Sequence, residues 1–324
     1  MSREVVQMFD MEEYTIPLEE WIQTGMEWIA TNFRPFFMAV KWPVEGLLNF
    51  IQDTLLAAPP LLILLVFAAA AWWISGRSLA IFTAIALFFL MLIDIWPEAM
   101  TTLALIATAI VICVIIGMPT GILCARSDLA WRIVRPVLDI MQTTPSFVYL
   151  VPVVMLFGVG TVPGAVAVIV VAVPPLIRFT NLGIRLVDRE LVEAGIAFGA
   201  TDLQLLWEVQ LPQALPTILG GLNQTVLMAM VMAVIVAMIG AEGLGLVVLQ
   251  GLGRLDVGRA AVGGIGIVLL AIILDRLTQA MAQREDDKPK RRSGIRVAVQ
   301  KVFTGYRGGG ERLATGDGNS NGGA

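Results

Sequence analysis

The chain has 324 residues, of which 57% are hydrophobic and 15% are charged, with a net charge of -4 and a mean hydropathy of +0.80. These values exclude an ordinary soluble globular protein and predict an integral membrane protein with several spans. The sequence contains no histidine, so neither a metal centre nor the usual catalytic residues of hydrolytic chemistry are expected. Its two cysteines, Cys113 and Cys124, are expected to pack as small hydrophobic residues.

The first segment of the chain, residues 1–53, is acidic and aromatic. Glutamates alternate there with tryptophans and aliphatic residues, as in an amphipathic helix, and the pattern of a cleavable signal peptide is missing. We therefore predict an extracytoplasmic or interfacial segment. It either orients the first span or binds a partner, and the sequence leaves both roles open.

Seven apolar runs follow within residues 54–283, each about long enough to cross ~30 Å of hydrocarbon. They lie near residues 55–75, 79–95, 99–123, 137–158, 161–178, 215–240 and 257–277. Gly117, Pro119 and Gly121 interrupt the third run, and Pro174 and Pro175 interrupt the fifth, so some of these helices are expected to be kinked. The expected fold class is an all-α integral membrane protein with about seven transmembrane helices.

Basic residues are concentrated on alternate connections between these runs. The connections around Pro97 and Thr161 contain no basic residue, and residues 243–256 contain only Arg254. The arginines of the other connections are Arg77, Arg126, Arg132, Arg135, Arg178, Arg185 and Arg189. By the positive-inside rule, the amino terminus lies outside an inner (cytoplasmic) membrane, and the carboxyl terminus and the loop 188–212 lie in the cytoplasm.

The loop 188–212 between the fifth and sixth runs is the most informative stretch of the sequence. Asp188 is placed to cap a short helix, and Gly199 is placed to end it in the left-handed conformation. Thr201 followed by Gln204 has the spacing of a capping box, which predicts a second helix. Pro212 is expected to end that helix because it has no backbone N–H.

This unit resembles the cytoplasmic signature loop of ABC importer permeases. That loop has Glu-Ala-Ala, a glycine four residues after the last alanine, and Ile-x-Leu-Pro beginning ten residues after the glycine. The matching residues are Glu193, Ala194, Gly195, Gly199, Leu211 and Pro212, with Gly195 in place of the second alanine and Val209 in place of isoleucine. The resemblance implies a type I importer permease core whose first loop helix inserts into a groove of an ATPase subunit.

The resemblance also implies which partners the chain needs. The sequence has no Gly-Lys-Ser/Thr phosphate-binding motif, so ATP and Mg are expected on a separate ATPase, with no cofactor on this chain and no enzymatic activity of its own. One chain supplies one signature loop, whereas an ATPase dimer has two grooves. We therefore expect a dimer of this chain, two ATPase subunits and an extracytoplasmic substrate-binding protein, and no nucleic acid.

A second resemblance concerns the substrate. Residues 138–152 and Ala241-Glu242-Gly243-Leu244-Gly245 are similar to the corresponding segments of permeases for glycine betaine and related quaternary ammonium compounds. The resemblance implies import of glycine betaine, with proline betaine, choline, carnitine or an amino acid as alternatives. An ion-coupled secondary transporter and a membrane enzyme are the competing classes, although neither buried coupling carboxylates nor a cluster of catalytic residues stands out.

Two groups of adjacent polar residues interrupt apolar runs and are candidates for the translocation pathway. Such groups need partners in hydrocarbon, so they either form hydrogen bonds between helices or line a hydrated path, and the sequence favours neither. The members are Gln142, Thr143 and Thr144, followed by Pro145, in the fourth run, and Asn223, Gln224 and Thr225 in the sixth. Tyr149 either offers its ring to a quaternary cation or packs. Asp139 is expected to pair with Arg135 four residues earlier.

The composition changes after residue 283. Residues 284–324 are rich in charged residues and then in glycine, serine, threonine and asparagine, which predicts a disordered cytoplasmic tail. Its first basic cluster, residues 288–296, is either solvated or in contact with anionic lipid.

Overall fold

The structure is a computed structural model that describes the backbone of residues 17–308 and the side chains of residues 17–284. Its regular elements are all helical within this range. In chain order they are α1 (Leu18–Asn32), α2 (Arg34–Ala57), α3 (Pro60–Ser75), α4 (Arg77–Leu92), α5 (Trp96–Arg126), α6 (Asp128–Thr143), a 3-10 turn (Ser146–Tyr149), α7 (Leu150–Phe157), α8 (Thr161–Arg185), α9 (Arg189–Ala197), α10 (Asp202–Gln204), a π-helical segment (Leu205–Gln210), α11 (Leu211–Ile235), a second 3-10 turn (Val236–Ile239), α12 (Leu244–Gly253) and α13 (Val257–Gly308).

Four of the described helical stretches are long and apolar enough to cross a membrane, or six if each of two bent pairs counts as one span. The four are Trp96–Arg126, Thr161–Arg185, Asp202–Ile239 and Val257–Arg284. The bent pairs are α2 with α3 and α6 with α7, and α4 is a shorter apolar helix of 16 residues. The seven apolar runs of the sequence therefore correspond to four long helices, two bent pairs and one short helix.

The core lies where α5, α8 and α11 pack against one another. Small residues allow the close approach: a Cβ atom built on Gly121 of α5 would lie 2.5 Å from Thr180 Cβ of α8, and one on Gly221 of α11 would lie 2.5 Å from Phe179 Cβ. Helix interfaces in membranes favour such residues because packing, rather than the hydrophobic effect, holds them together. The close contacts leave α8 the most completely buried of the four long helices.

The fourth predicted span, residues 137–158, is not one helix. α6 ends at Thr143, and the pair of α6 with the segment Ser146–Phe157 is bent by 107°. Thr144 takes an extended conformation (φ -72°, ψ 129°), as the residue before a proline prefers, and its hydroxyl donates to Ile140 O at 2.8 Å. The polar residues expected inside a continuous helix therefore lie at the end of one.

The prolines of the fifth run have the opposite outcome. Pro174 and Pro175 are both buried within α8, which continues without a break to Arg185, so they do not divide the fifth run. Neighbouring helices hold α8 along its length, and such packing is what makes proline tolerable in a transmembrane helix.

Pro212 does not end the second helix of the loop, which corrects a further expectation. The π-helical segment Leu205–Gln210 carries the chain directly into α11, and Pro212 lies in the first turn of that helix. A missing N–H costs little in a first turn, and the wider π turn lets the backbone pass the proline. The loop is thus continuous with the long stretch Asp202–Ile239.

The remaining differences concern α12 and the two ends of the chain. The sequence predicts only a connection between spans at residues 243–256, whereas the structure has the ten-residue helix α12 there. The amino-terminal segment is helical from Leu18, whereas expectations for residues 1–16 lie outside the described residues. α13 continues past residue 284, where the tail was expected to begin, to Gly308, although this stretch contains Pro289 and Gly294. Residues 309–324 lie outside the described range.

Candidate functional site: the loop between α8 and α11

The local hydrogen bonds of residues 188–204 agree with those predicted from the sequence. The carboxylate of Asp188 accepts a hydrogen bond from Glu190 N at 3.2 Å and caps α9. Gly199 has φ +81°, the left-handed conformation that ends the helix without a steric penalty. Thr201 and Gln204 form both hydrogen bonds of a capping box. The loop therefore begins as a short capped helix, a glycine turn and a second capped helix.

The signature residues lie on the outside of this unit. Glu193, Ala194, Gly199 and Pro212 are exposed, whereas Leu211 is half-buried. Gly195 is also half-buried, and a Cβ atom there would lie 2.8 Å from Leu205 Cδ1. The glycine that replaces the second alanine of the signature pattern thus permits close packing of α9 on the π-helical segment.

α9 and the residues after it present an apolar surface that the other described side chains, those of residues 17–284, leave exposed. Leu191, Ile196 and Phe198 are 44%, 59% and 92% exposed. Leu205 and Leu206, by contrast, are buried and anchor the π-helical segment to the bundle. The unit is therefore fixed on one side and offers exposed apolar side chains on the other.

Arginines hold the base of the loop to the bundle. Arg126, at the end of α5, donates to Asp202 O at 3.1 Å. Arg185, at the end of α8, donates to Cys124 O at 2.8 Å and lies 2.7 Å from the carboxylate of Asp128. These contacts join the loop to α5, and the end of α8 to α5 and α6.

The first candidate group for the pathway lies at the break between α6 and α7. Gln142, Thr143 and Pro145 are exposed, and Thr143 donates to Asp139 O at 3.0 Å. The Tyr149 hydroxyl donates to Met141 O at 2.9 Å, which joins the 3-10 turn to the last turn of α6. The Tyr149 hydroxyl thus satisfies the Met141 carbonyl, which has no helical donor because Pro145 lacks an N–H, whereas the Thr143 hydroxyl adds a second hydrogen bond to a carbonyl inside α6.

The second candidate group lies within α11 and differs in its surroundings. Asn223 accepts a hydrogen bond from Thr278 of α13, and Gln224 is half-buried. Thr225 is fully buried, and its hydroxyl has no hydrogen-bond partner among the described residues. The two groups are not one cluster, although the 3-10 turn before α7 contacts α11.

One interaction near the break was missed from the sequence. Asp139 forms the predicted ion pair with Arg135, 3.9 Å away on the same helix, and also contacts Arg178 of α8. The sequence signal was Arg178, one of two arginines in a largely apolar helix, but nothing in its spacing indicated which acid it meets. Within residues 17–284, no group of three acidic or cysteine side chains is placed to hold a metal ion.

Comparison with known proteins decides the family. The family model described as "Binding-protein-dependent transport system inner membrane component" matches residues 117–287, which include α8, the loop and α11. This chain belongs to that family. It is therefore a multi-pass inner membrane protein and a permease subunit of a transport system that works with an ATPase and a substrate-binding protein, and such subunits are not themselves catalytic.

Several curated members of the family are similar to this chain over most of its length. It is 52% identical to the glycine betaine/proline betaine transport system permease protein ProW of Escherichia coli (strain K12), over 86% of this chain and 78% of that protein. It is 43% identical to the glycine betaine/carnitine transport permease protein GbuB of Listeria monocytogenes, over 83% and 97%. The glycine betaine transport system permease protein OpuAB of Bacillus subtilis is 44% identical, over 82% and 94%.

A solved structure has the same fold. A chain of the MetNI methionine ABC transporter in an inward-facing conformation aligns with a TM-score of 0.54 and 23% identity, over 60% of this chain and 97% of that chain. At this identity the likeness shows the fold alone. It confirms the expected all-α, type I importer permease architecture.

Proposed function

We propose that this chain is the translocation subunit of an ATP-driven importer of glycine betaine or a related quaternary ammonium compound. Glycine betaine is named for the three permeases that are 43–52% identical to it. Proline betaine and carnitine each appear in one of those names, which keeps the substrate class at small quaternary amines. A separate extracytoplasmic binding protein selects the substrate and delivers it.

The exposed apolar surface of α9 carries this proposal. Phe198 is 92% exposed at the tip of the capped unit. Exposing an aromatic side chain to water is unfavourable, so such a side chain marks a surface that a partner covers. Large aromatic residues in this position are typical anchors of protein interfaces. We assign this surface, with Glu193, Ala194, Gly195 and Gly199, to the groove of a separate ATPase subunit that binds ATP and Mg.

The proposed mechanism is alternating access in a dimer of this chain. When ATP closes the two ATPase subunits on each other, the two loops move together, the cytoplasmic side of the bundle shuts, and the outer side opens. Substrate then enters from the docked binding protein. The polar residues at the α6–α7 break and Asn223, Gln224 and Thr225 are the candidates for the path between the two sides.

The proposed orientation has the amino terminus outside and the carboxyl terminus in the cytoplasm. The contacts of Arg126 with Asp202, of Arg185 with Asp128 and of Arg284 with Trp73 O all lie at the end of the bundle that carries the loop. Under the positive-inside rule, this arginine-rich end faces the cytoplasm, where an ATPase can reach α9.

Reconstitution in proteoliposomes tests the proposal. We expect uptake of labelled glycine betaine that requires the partner ATPase, ATP on the side of the membrane that carries the ATPase, and the binding protein. Excess proline betaine, choline, carnitine and single amino acids as competitors then define the substrate class. Uptake driven by an ion gradient with this chain alone would overturn the proposal.

A further inference from the structure

α6 is attached to α8 at both of its ends. The carboxylate of Asp128, in the first turn of α6, lies 2.7 Å from Arg185 Nη1, and Asp139, near the end of α6, contacts Arg178. The two acids are about 16 Å apart along α6, and the two arginines are about 10 Å apart along α8. Because the first acid meets the later arginine, the two helices run antiparallel and are joined at two separated points.

α8 is the helix that leads into the loop. Arg185 is its last residue, and Asp188, three residues later, caps α9. A displacement of α9 by a partner therefore acts first on the end of α8 at which Arg185 holds Asp128.

The other end of α6 leads to the break. Asp139 lies one turn before Thr143, the last residue of α6, and Thr143 donates to the Asp139 carbonyl. The contact with Arg178 is thus the last ion pair between α6 and α8, among the described side chains, before the chain turns at Thr144 and Pro145.

We propose that the Asp128–Arg185 and Asp139–Arg178 pairs are positioning contacts that make α6 move with α8, so that a shift of the loop reaches the break between α6 and α7. This inference rests on the proposed function. The side chains of Asp128 and Asp139 are 82% and 50% exposed, and exposed ion pairs add little to stability. Their loss therefore affects the transfer of motion more than folding.

The test uses the whole complex with its ATPase and binding protein in proteoliposomes. In the variants Asp139→Asn and Arg178→Gln, we expect uptake per ATP hydrolysed to fall by up to about fivefold, the most that an ion pair of this exposure supplies, while ATP hydrolysis persists. Exchanging the charges, with Asp139→Arg and Arg178→Asp in one chain, restores most of the lost uptake. Arg178→Lys, which keeps the charge, retains most of it.

Arg135→Gln is the matched control. Arg135 lies 3.9 Å from the same carboxylate but belongs to α6 itself, so its loss does not disconnect α6 from α8. We expect uptake per ATP to equal that of the wild-type complex. An equal loss in Arg135→Gln, no loss in Asp139→Asn, or no recovery in both the exchanged and the lysine variants would overturn the inference.

The wild-type complex, measured in parallel, separates this inference from the proposed function. If it shows no ATP-driven uptake, the proposed function fails. If it does and the single variants equal it, only the inference fails.

A distance measurement provides a readout that does not depend on uptake. Ile133 of α6 and Leu182 of α8 are both exposed and can carry spin labels once the buried Cys113 and Cys124 are replaced by alanine. We expect the distance between the labels to stay the same with and without ATP, and its distribution to broaden in Asp139→Asn. A distance that changes with ATP in the otherwise unaltered chain would show that α6 and α8 do not move as one.

Discussion

The core helix α8 and the broken pair α6–α7 respond to proline in opposite ways. α8 contains Pro174 and Pro175, both buried, and continues unbroken, whereas Pro145 accompanies a bend of 107°. α8 packs against α5 and α11, whereas at the break Met141 O has no helical donor because Pro145 lacks an N–H, and it accepts from the Tyr149 hydroxyl instead. Exposure of a proline does not by itself decide the outcome, because Pro136 is exposed and lies inside the unbroken helix α6.

Glycine has different roles in the core and in the loop. Gly121, in the core, leaves room for Thr180, whereas Gly199, in the exposed loop, supplies a left-handed turn with no atom within 4 Å of a built Cβ. Replacing each glycine therefore has a different expected consequence, structural in the core and functional in the loop.

The largest expected effect is that of Gly121→Val. A side chain there would collide with Thr180 and with Ile177 O, which is backbone and cannot rotate away. We expect the free energy of unfolding to fall by about 1–3 kcal/mol or more, measured as a lower melting temperature in detergent by tryptophan fluorescence. Gly220→Ala, which has open space around its Cβ, is the control and melts like the wild type. Equal melting of both variants would contradict the close packing of α5 and α8.

The next effect is that of Gly199→Val on transport. A left-handed conformation costs a branched residue about 1–2 kcal/mol, which corresponds to about a tenfold shift away from the native turn. We expect ATP-driven uptake to fall about tenfold while membrane insertion and ATP hydrolysis persist. Gly264→Val is the control, because Gly264 of α13 has no left-handed φ and a Cβ atom built there meets no atom within 4 Å. Unchanged uptake in Gly199→Val would count against docking through this loop.

A smaller effect is expected for Pro145→Ala, compared with Pro174→Ala. Proline destabilises a straight helix by about 3 kcal/mol, and alanine does not. In this variant the bend therefore depends on the remaining hydrogen bonds at the break. We expect uptake to fall about fivefold, the low end of the range of coupling between sites. Pro174→Ala leaves the path of α8 unchanged and retains uptake. A larger loss of uptake in Pro174→Ala than in Pro145→Ala would show that the prolines of α8 are the functional ones.

The smallest effect is that of Tyr149→Phe. It removes the hydrogen bond to Met141 O at the break, which contributes about 0.5–1.5 kcal/mol to the free energy of unfolding. A small decrease in melting temperature is the expected result. Phe147→Tyr is the control, because Phe147 is exposed on the same turn and an added hydroxyl reaches solvent. A melting temperature unchanged in Tyr149→Phe would mean that other contacts hold the turn.

The sequence by itself determined the helical membrane class, the apolar runs, and the caps and left-handed turn of the loop. These features depend on residues within a few positions of one another, such as Thr201 with Gln204, so local patterns are sufficient. The signature pattern from Glu193 to Pro212 likewise identified a permease of this family.

The tertiary structure alone decided that Asn223 accepts a hydrogen bond from Thr278 and that Asp139 pairs with Arg178 in addition to Arg135. Each depends on residues 39 to 55 positions apart that packing brings together. A run of apolar residues specifies that a segment can be buried. It does not specify which neighbour covers it, and that neighbour determines where helices bend and where charges pair.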